Sequence, residues 1–140
     1  MVQRYLFDTN ICIHIINRRL GFERLLDRVG QHQYGEILIS AITLAELRFG
    51  VAKSQSRRRA ENEKMLELFL ARFPVMDFDS KAAAAYGPLR AGLERQGTPI
   101  GAMDTLIAAH ALRLGTAIVT HNAREFMRVP RLPVENWLDG

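Results

Sequence analysis

The apolar residues of this chain fall into short solid runs separated by longer stretches of helical spacing. Arg4-Tyr5-Leu6-Phe7-Asp8 predicts a short buried strand, after which Thr9 and Asn10 can cap a helix over Ile11 to Asn17. Phe22, Leu25, Leu26 and Val29 share one face of a second predicted helix. Glu36 to Ser40 predicts a second strand, buried on both faces, and Thr43 to Lys53 returns to helical spacing. Ser54 to Arg59 predicts a polar, basic turn. A longer helix follows from Arg59 to Phe73, repeating Met65, Leu66, Phe69 and Leu70 until Pro74 breaks it. Val75 to Phe78 predicts a short strand, and Ser80 a cap for a helix to about Gln96, closed by a Gly97-Thr98-Pro99 turn. Asp104 to Leu114 is apolar nearly all round, as a buried helix would be. Gly115 ends it, and Ala117 to Thr120 predicts another buried strand.

Short buried strands alternating with helices imply an α/β fold whose parallel sheet is covered on both faces. Such folds bind ligands outside the carboxyl ends of their strands, where Asp8 and Thr120 both fall. The 140 residues suit one domain, without a linker, repeat or low-complexity tract. A hydrophobic fraction of 48% suffices for a core without disulfides or a structural metal. Cys12 stands alone, which excludes an intrachain disulfide and fits a cytoplasmic setting. No apolar run reaches the roughly 20 residues of a membrane span, and Met1 to Phe7 is unlike a secretory signal. The expectation is a soluble cytoplasmic protein with no membrane partner. The net charge is +4, and only Lys53, Lys64 and Lys81 are lysines. Arginine forks onto phosphate, so the bias favours a nucleic-acid partner about as much as a plain arginine-rich surface.

Three carboxylates lie where a bland sequence would avoid them. Asp8 directly follows an apolar strand, although a cap or turn acid also belongs there. Glu46 borders the helix face that carries Ile42 and Phe49, against a plainer role as a rim acid paired with Arg48 or Lys53. Asp104 opens the buried helix, where an acid is favoured by the helix dipole in any case. Two carboxylates about 4 Å apart repel by roughly 4 kcal/mol at an effective dielectric near 20. Three together would cost on the order of 10 kcal/mol, comparable to a domain's stability. Convergence therefore requires protons or a divalent ion, and an all-oxygen site suits Mg²⁺ or Mn²⁺ rather than zinc.

Asp8-Thr9-Asn10 closing the first strand, Thr43-Leu44-Ala45-Glu46-Leu47 on a helix and Gly101-Ala102-Met103-Asp104 opening a buried one together resemble the PIN-domain pattern. Thr120-His121-Asn122, Arg124-Glu125-Phe126 and Val129-Pro130 resemble the VapC toxins of type II toxin–antitoxin pairs. Gly97-Thr98-Pro99-Ile100-Gly101 is similar to the branch that cuts initiator tRNA near its anticodon. The resemblance spans Leu6 to Trp137.

It implies a three-layer α/β/α PIN-like fold with a central parallel sheet of four to five strands, as a single domain over 1–140. It implies a metal-dependent endoribonuclease in which Asp8 and Asp104 ligate Mg²⁺, with Mn²⁺ able to substitute, and Glu46 joins directly or through water. Thr9 and Asn10 would orient these groups, and Thr120 would sit beside them. Many relatives place a fourth acid where this chain has Asn122, which weakens the case for a second ion. Glu125 is a candidate replacement, against its plainer role as a surface acid. The resemblance also implies an RNA substrate, above all tRNA, a homodimer, and a VapB-type antitoxin that blocks the site and so restrains inhibition of translation.

His14, His32, His110 and His121 lack zinc-ligand spacing, although His121 lies beside the proposed site and could touch phosphate. Cys12 reads as core packing, Tyr86 and Trp137 as packing or interface aromatics, and Arg57-Arg58-Arg59 as a solvated helix start before an RNA grip. Two other classes stay open. An aspartate-nucleophile phosphatase also puts an Asp after its first strand, but has a second acid where Asn10 stands. A non-catalytic RNA-binding domain could keep the fold.

Overall fold

The computed structural model describes residues 2–139, so Met1 and Gly140, the ends of the span expected as one domain, lie outside the described residues. Five short strands form: β1 (Tyr5–Phe7), β2 (Ile37–Ser40), β3 (Val75–Met76), β4 (Ala117–Val119) and β5 (Val134–Glu135). They pair in one wholly parallel sheet of order β3-β2-β1-β4-β5. The helices are α1 (Thr9–Ile16), α2 (Phe22–Val29), α3 (Ala41–Ala52), α4 (Ser56–Leu70), α5 (Ser80–Arg95), α6 (Ala102–Leu114) and α7 (Ala123–Phe126). The architecture is the expected α/β sandwich, at the upper end of the expected strand number.

Strand alternation divides the core into two layers. Phe7, Ile39 and Val119 pack with Ile11, Leu25, Leu47, Leu66, Phe69 and Phe73 from the helices α1 to α4 and the turn after them. Leu6, Leu38 and Ile118 face the other way, onto Leu89, Leu93, Ile107 and Ala108 of α5 and α6. Trp137 closes the first layer at the start of β1. Its ring is 1% exposed, meets Tyr5 edge-on at 5.1 Å and stacks on His32 at 5.5 Å with a 6° interplanar angle. The Arg28 guanidinium lies 4.8 Å from its centroid, and Nε1 donates to Glu135 Oε1 at 3.0 Å. Trp137 is thus the packing aromatic it was expected to be.

Several element ends differ from the sequence reading, three of them because a side chain caps the helix. Asp8, rather than Thr9 or Asn10, caps α1. Asp79 caps α5 by accepting from Ala82 N at 2.8 Å, so Ser80 is already helical. The Ser40 hydroxyl accepts from Ile42 N at 3.0 Å, which lets α3 begin before Thr43. The basic turn is shorter than expected, and α4 already holds Arg57, Arg58 and Arg59. Strand β5 and the one-turn helix α7 have no counterpart in the sequence reading. Among the described residues no helix is long and apolar enough to cross a membrane.

Candidate active site

A parallel sheet delivers all its strands' carboxyl ends to one edge, and the helices that follow start there. β1 leads into Asp8, β2 runs into α3 through Ser40, and β4 leads into Thr120. The amino termini of α1 and α3 stand at this edge, with Asp104 in the first turn of α6 close enough to sense Asp8 and Glu46. Helix amino termini carry partial positive charge, which suits carboxylates and phosphates alike.

Asp8 is only 2% exposed, yet both its oxygens are engaged. Oδ1 accepts from Ile11 N at 2.9 Å, and Oδ2 accepts from the Thr120 hydroxyl at 2.6 Å. Thr120 reaches Asp8 because β1 and β4 are paired neighbours, with Phe7 opposite Val119. Burial raises the Asp8 pKa above the ordinary carboxylate value; the Thr120 and Ile11 hydrogen bonds oppose that rise, Glu46 adds to it, and His121 opposes it. Asp8 therefore caps α1 with one oxygen and takes the Thr120 hydroxyl with the other.

Glu46 takes a hydrogen bond from the Thr9 hydroxyl at 2.6 Å, and Thr43 Oγ1 lies 3.2 Å from that same hydroxyl. Thr43 is fully buried and is a site residue that the sequence reading does not single out. Its signal is a hydroxyl three residues before Glu46, on the same side of the helix. Glu46 was expected to border an apolar face, and that expectation is corrected here. Phe49 is 65% exposed, so the α3 face that carries it is not a core face interrupted by an acid. Thr9 holds Glu46 at this edge of the sheet, where its charge reaches Asp8 and Asp104.

Asp104 is half-buried in the first turn of α6. Its carboxyl is pushed up to about 6, first by burial and then by Glu125, Asp8 and Glu46, with a hydrogen bond to Glu125 adding to the rise. Four acids thus share one field. Glu125 is no mere surface acid: Gly101 N donates to its Oε1 at 3.3 Å, and Asn122 Nδ2 donates to its Oε2. Asn122 in turn donates its backbone N–H to Thr120 Oγ1 at 2.8 Å. Asn122 thus brackets Thr120 and Glu125 together.

Asn10 departs from its expected role. It is exposed on α1, and its side chain joins none of these hydrogen bonds among the described residues. His121 is exposed, with its ring 6.3 Å from that of His14. Cys12 is fully buried behind Asp8, and burial raises its thiol pKa well above the ordinary value, as expected of a packing residue. Among the described residues no three metal-binding side chains stand close enough to clasp an ion as they are placed. The donor set nevertheless fits a hard divalent cation: the polar atoms on offer are oxygens, and burial together with three neighbouring acids raises Asp104.

Comparison with known proteins gives one consistent result. The profile described as PIN domain matches residues 5–132. Ribonuclease VapC2 of Rickettsia felis is 41% identical over 134 residues, covering 95% of this chain and 97% of its own. The tRNA(fMet)-specific endonuclease VapC of Shigella flexneri is 43% identical over 134 residues, covering 96% and 98%. Among solved structures, VapBC from Salmonella typhimurium bound to DNA matches with a TM-score of 0.89 and 38% identity, covering 96% of this chain and 98% of that one.

Proposed function

The chain belongs to the PIN-domain family and, within it, to the VapC ribonucleases, and from that premise we propose a divalent-metal-dependent endoribonuclease that cuts structured RNA as the toxin of a VapBC pair. The observation that carries the metal dependence is Asp104, whose carboxyl sits at about 6 because burial and three other acids act on it. Asp8 and Asp104 would hold the cation, Mg²⁺ with Mn²⁺ able to substitute, and Glu46 would join directly or through water. When bound, the cation supplies the charge that makes water nucleophilic near neutral pH and offsets charge gathering on the phosphate.

The rest of the work falls to the protein's own groups. Thr120 and the Ile11 N–H fix both oxygens of Asp8, so this carboxylate meets its ligand without rearranging. Thr9 orients Glu46, with Thr43 beside it, while Asn122 and Gly101 hold Glu125 against Asp104. The amino termini of α1 and α3 favour a phosphodiester at this edge of the sheet. Glu125 shares the field of the other three acids, which supports a larger acidic set than Asp8, Glu46 and Asp104 alone.

The tRNA(fMet)-specific relative supports initiator tRNA as the substrate, and the net charge of +4 suits a polyanion. The VapBC complexes among the solved relatives support a VapB-type antitoxin as partner. A homodimer, a single domain over 1–140 and a cytoplasmic location, where tRNA is used, complete the proposal.

Asp8→Asn and Asp104→Asn test it. Each is expected to lower Mg²⁺-dependent cleavage of tRNA by about a hundredfold or more while the protein stays folded. EDTA should abolish cleavage and added Mg²⁺ restore it. A folded Asp104→Asn protein that cuts at the wild-type rate would end the reading.

A further inference from the structure

Helix α3 carries more than Glu46 on the side that meets the site. Glu46, Phe49, Gly50 and Lys53 stand at i, i+3, i+4 and i+7, one stripe along the helix. Phe49 is 65% exposed, and the Lys53 ammonium lies 5.2 Å from its ring centroid. Seven residues of helix set Lys53 about 10 Å along from Glu46. The chain then turns through Ser54 and Gln55 into α4, whose opening residues include Arg57, Arg58 and Arg59, all exposed. Arg59 donates to the Ser54 carbonyl at 3.0 Å, which ties the cluster to the elbow.

The charge of this elbow is largely unspent. Arg48 takes Glu63 at 2.5 Å and Glu67 at 2.7 Å, clamping α3 to α4 and occupying both acids. Arg57, Arg58 and Lys53 form no ion pair among the described residues, and Glu61 is the acid next to them on α4. Cations at the start of a helix oppose its dipole, and an exposed phenylalanine gains nothing from water. Neither feature serves the fold. A single strand of nucleic acid satisfies both, with phosphates for the cations and the flat face of an unpaired base for the ring. A duplex keeps its base faces stacked and offers Phe49 no partner.

We propose that the α3–α4 elbow is a second contact for the substrate RNA, in which Phe49 stacks on an unpaired base of the strand leaving the acidic mouth and Lys53, Arg57 and Arg58 take its phosphates. The proposal rests on the ribonuclease reading and adds that the RNA is single-stranded on the α3 side of the cut. The stripe's continuity with Glu46 is what selects RNA over an acidic protein segment.

The test separates binding from cleavage. A fluorescent stem–loop RNA is titrated with the full-length protein in EDTA, where no cutting occurs, and anisotropy gives the dissociation constant. Phe49→Ala should weaken binding about tenfold, and Phe49→Trp should retain it. Arg57→Ala combined with Arg58→Ala should weaken it comparably and reduce the slope of log affinity on log salt by about 1.4, at roughly 0.7 for each phosphate left without its cation. All these variants should hydrolyse bis(p-nitrophenyl) phosphate, which needs only the acids, at the wild-type rate with Mg²⁺. Unchanged RNA affinity and salt slope would overturn the elbow's role in RNA binding. So would variants that no longer bind a VapB-type antitoxin or that change the oligomeric mass while RNA affinity holds. If the wild type binds RNA through the elbow yet cleaves neither substrate with Mg²⁺, the ribonuclease reading fails and the RNA surface stands.

Discussion

The acidic mouth and the aromatic clasp around Trp137 are built on opposite terms. At the clasp every group finds a complement: the indole stacks on His32, meets Tyr5 edge-on, lies under Arg28 and gives its N–H to Glu135. At the mouth, burial and then the charges of Glu125, Asp8 and Glu46 push the Asp104 carboxyl up to about 6. One region devotes its interactions to stability, while the other holds buried acids whose negative charge a divalent cation would relieve.

Substitutions should therefore separate the two by what they cost. Trp137→Ala should have the largest effect on stability, about 3–5 kcal/mol, with activity per folded molecule unchanged. Chemical denaturation paired with tRNA cleavage checks both halves. Thr120→Val comes next. It leaves a buried Asp8 oxygen without its donor, so about 1–3 kcal/mol of stability and about tenfold of activity should go together. A variant that lost neither would show that Asp8 does not depend on its neighbouring strand.

The third effect is a pH dependence. The folded Asp104 holds its proton more tightly than the unfolded chain does, so metal-free protein should lose stability as pH rises from about 4 through about 6. Asp79 and Glu67, lowered by an Ala82 backbone hydrogen bond and by Arg48, run the other way, so the signal is the difference between wild type and Asp104→Asn in EDTA. Melting curves across that window should show the variant gaining on the wild type. Equal curves would mean that the acids do not burden the fold. The smallest change is Arg28→Ala at the clasp, which removes a cation from the indole face and should cost about 0.5–1 kcal/mol.

What is legible in the sequence follows the same division. Strands β1, β2 and β4 stand out because a strand buried on both faces needs an unbroken apolar run. β5 is only Val134 and Glu135, with Pro133 before it, and no run of two residues carries a period. The starts of α3 and α5 differ by one or two residues because the capping atom belongs to a residue outside the apolar pattern, Ser40 and Asp79. Asp8, Glu46 and Asp104 are visible because acids beside apolar runs are conspicuous. Glu125 enters the sequence reading only through the resemblance, as a candidate, since its approach to Asp104 depends on Asn122 and Gly101 closing a loop that no local pattern describes. Phe49 misleads for a related reason: helical spacing groups residues on a face but cannot say whether anything covers that face.

The bond from Thr120 to Asp8 joins residues 112 positions apart in sequence. During synthesis the ribosome releases Asp8 and Glu46 early, but β4 cannot pair with β1 until most of the chain has been translated. Pairings of such long range are among the last to form. The carboxylate that the proposed ribonuclease relies on thus lacks its Thr120 partner until β4 has emerged and paired with β1.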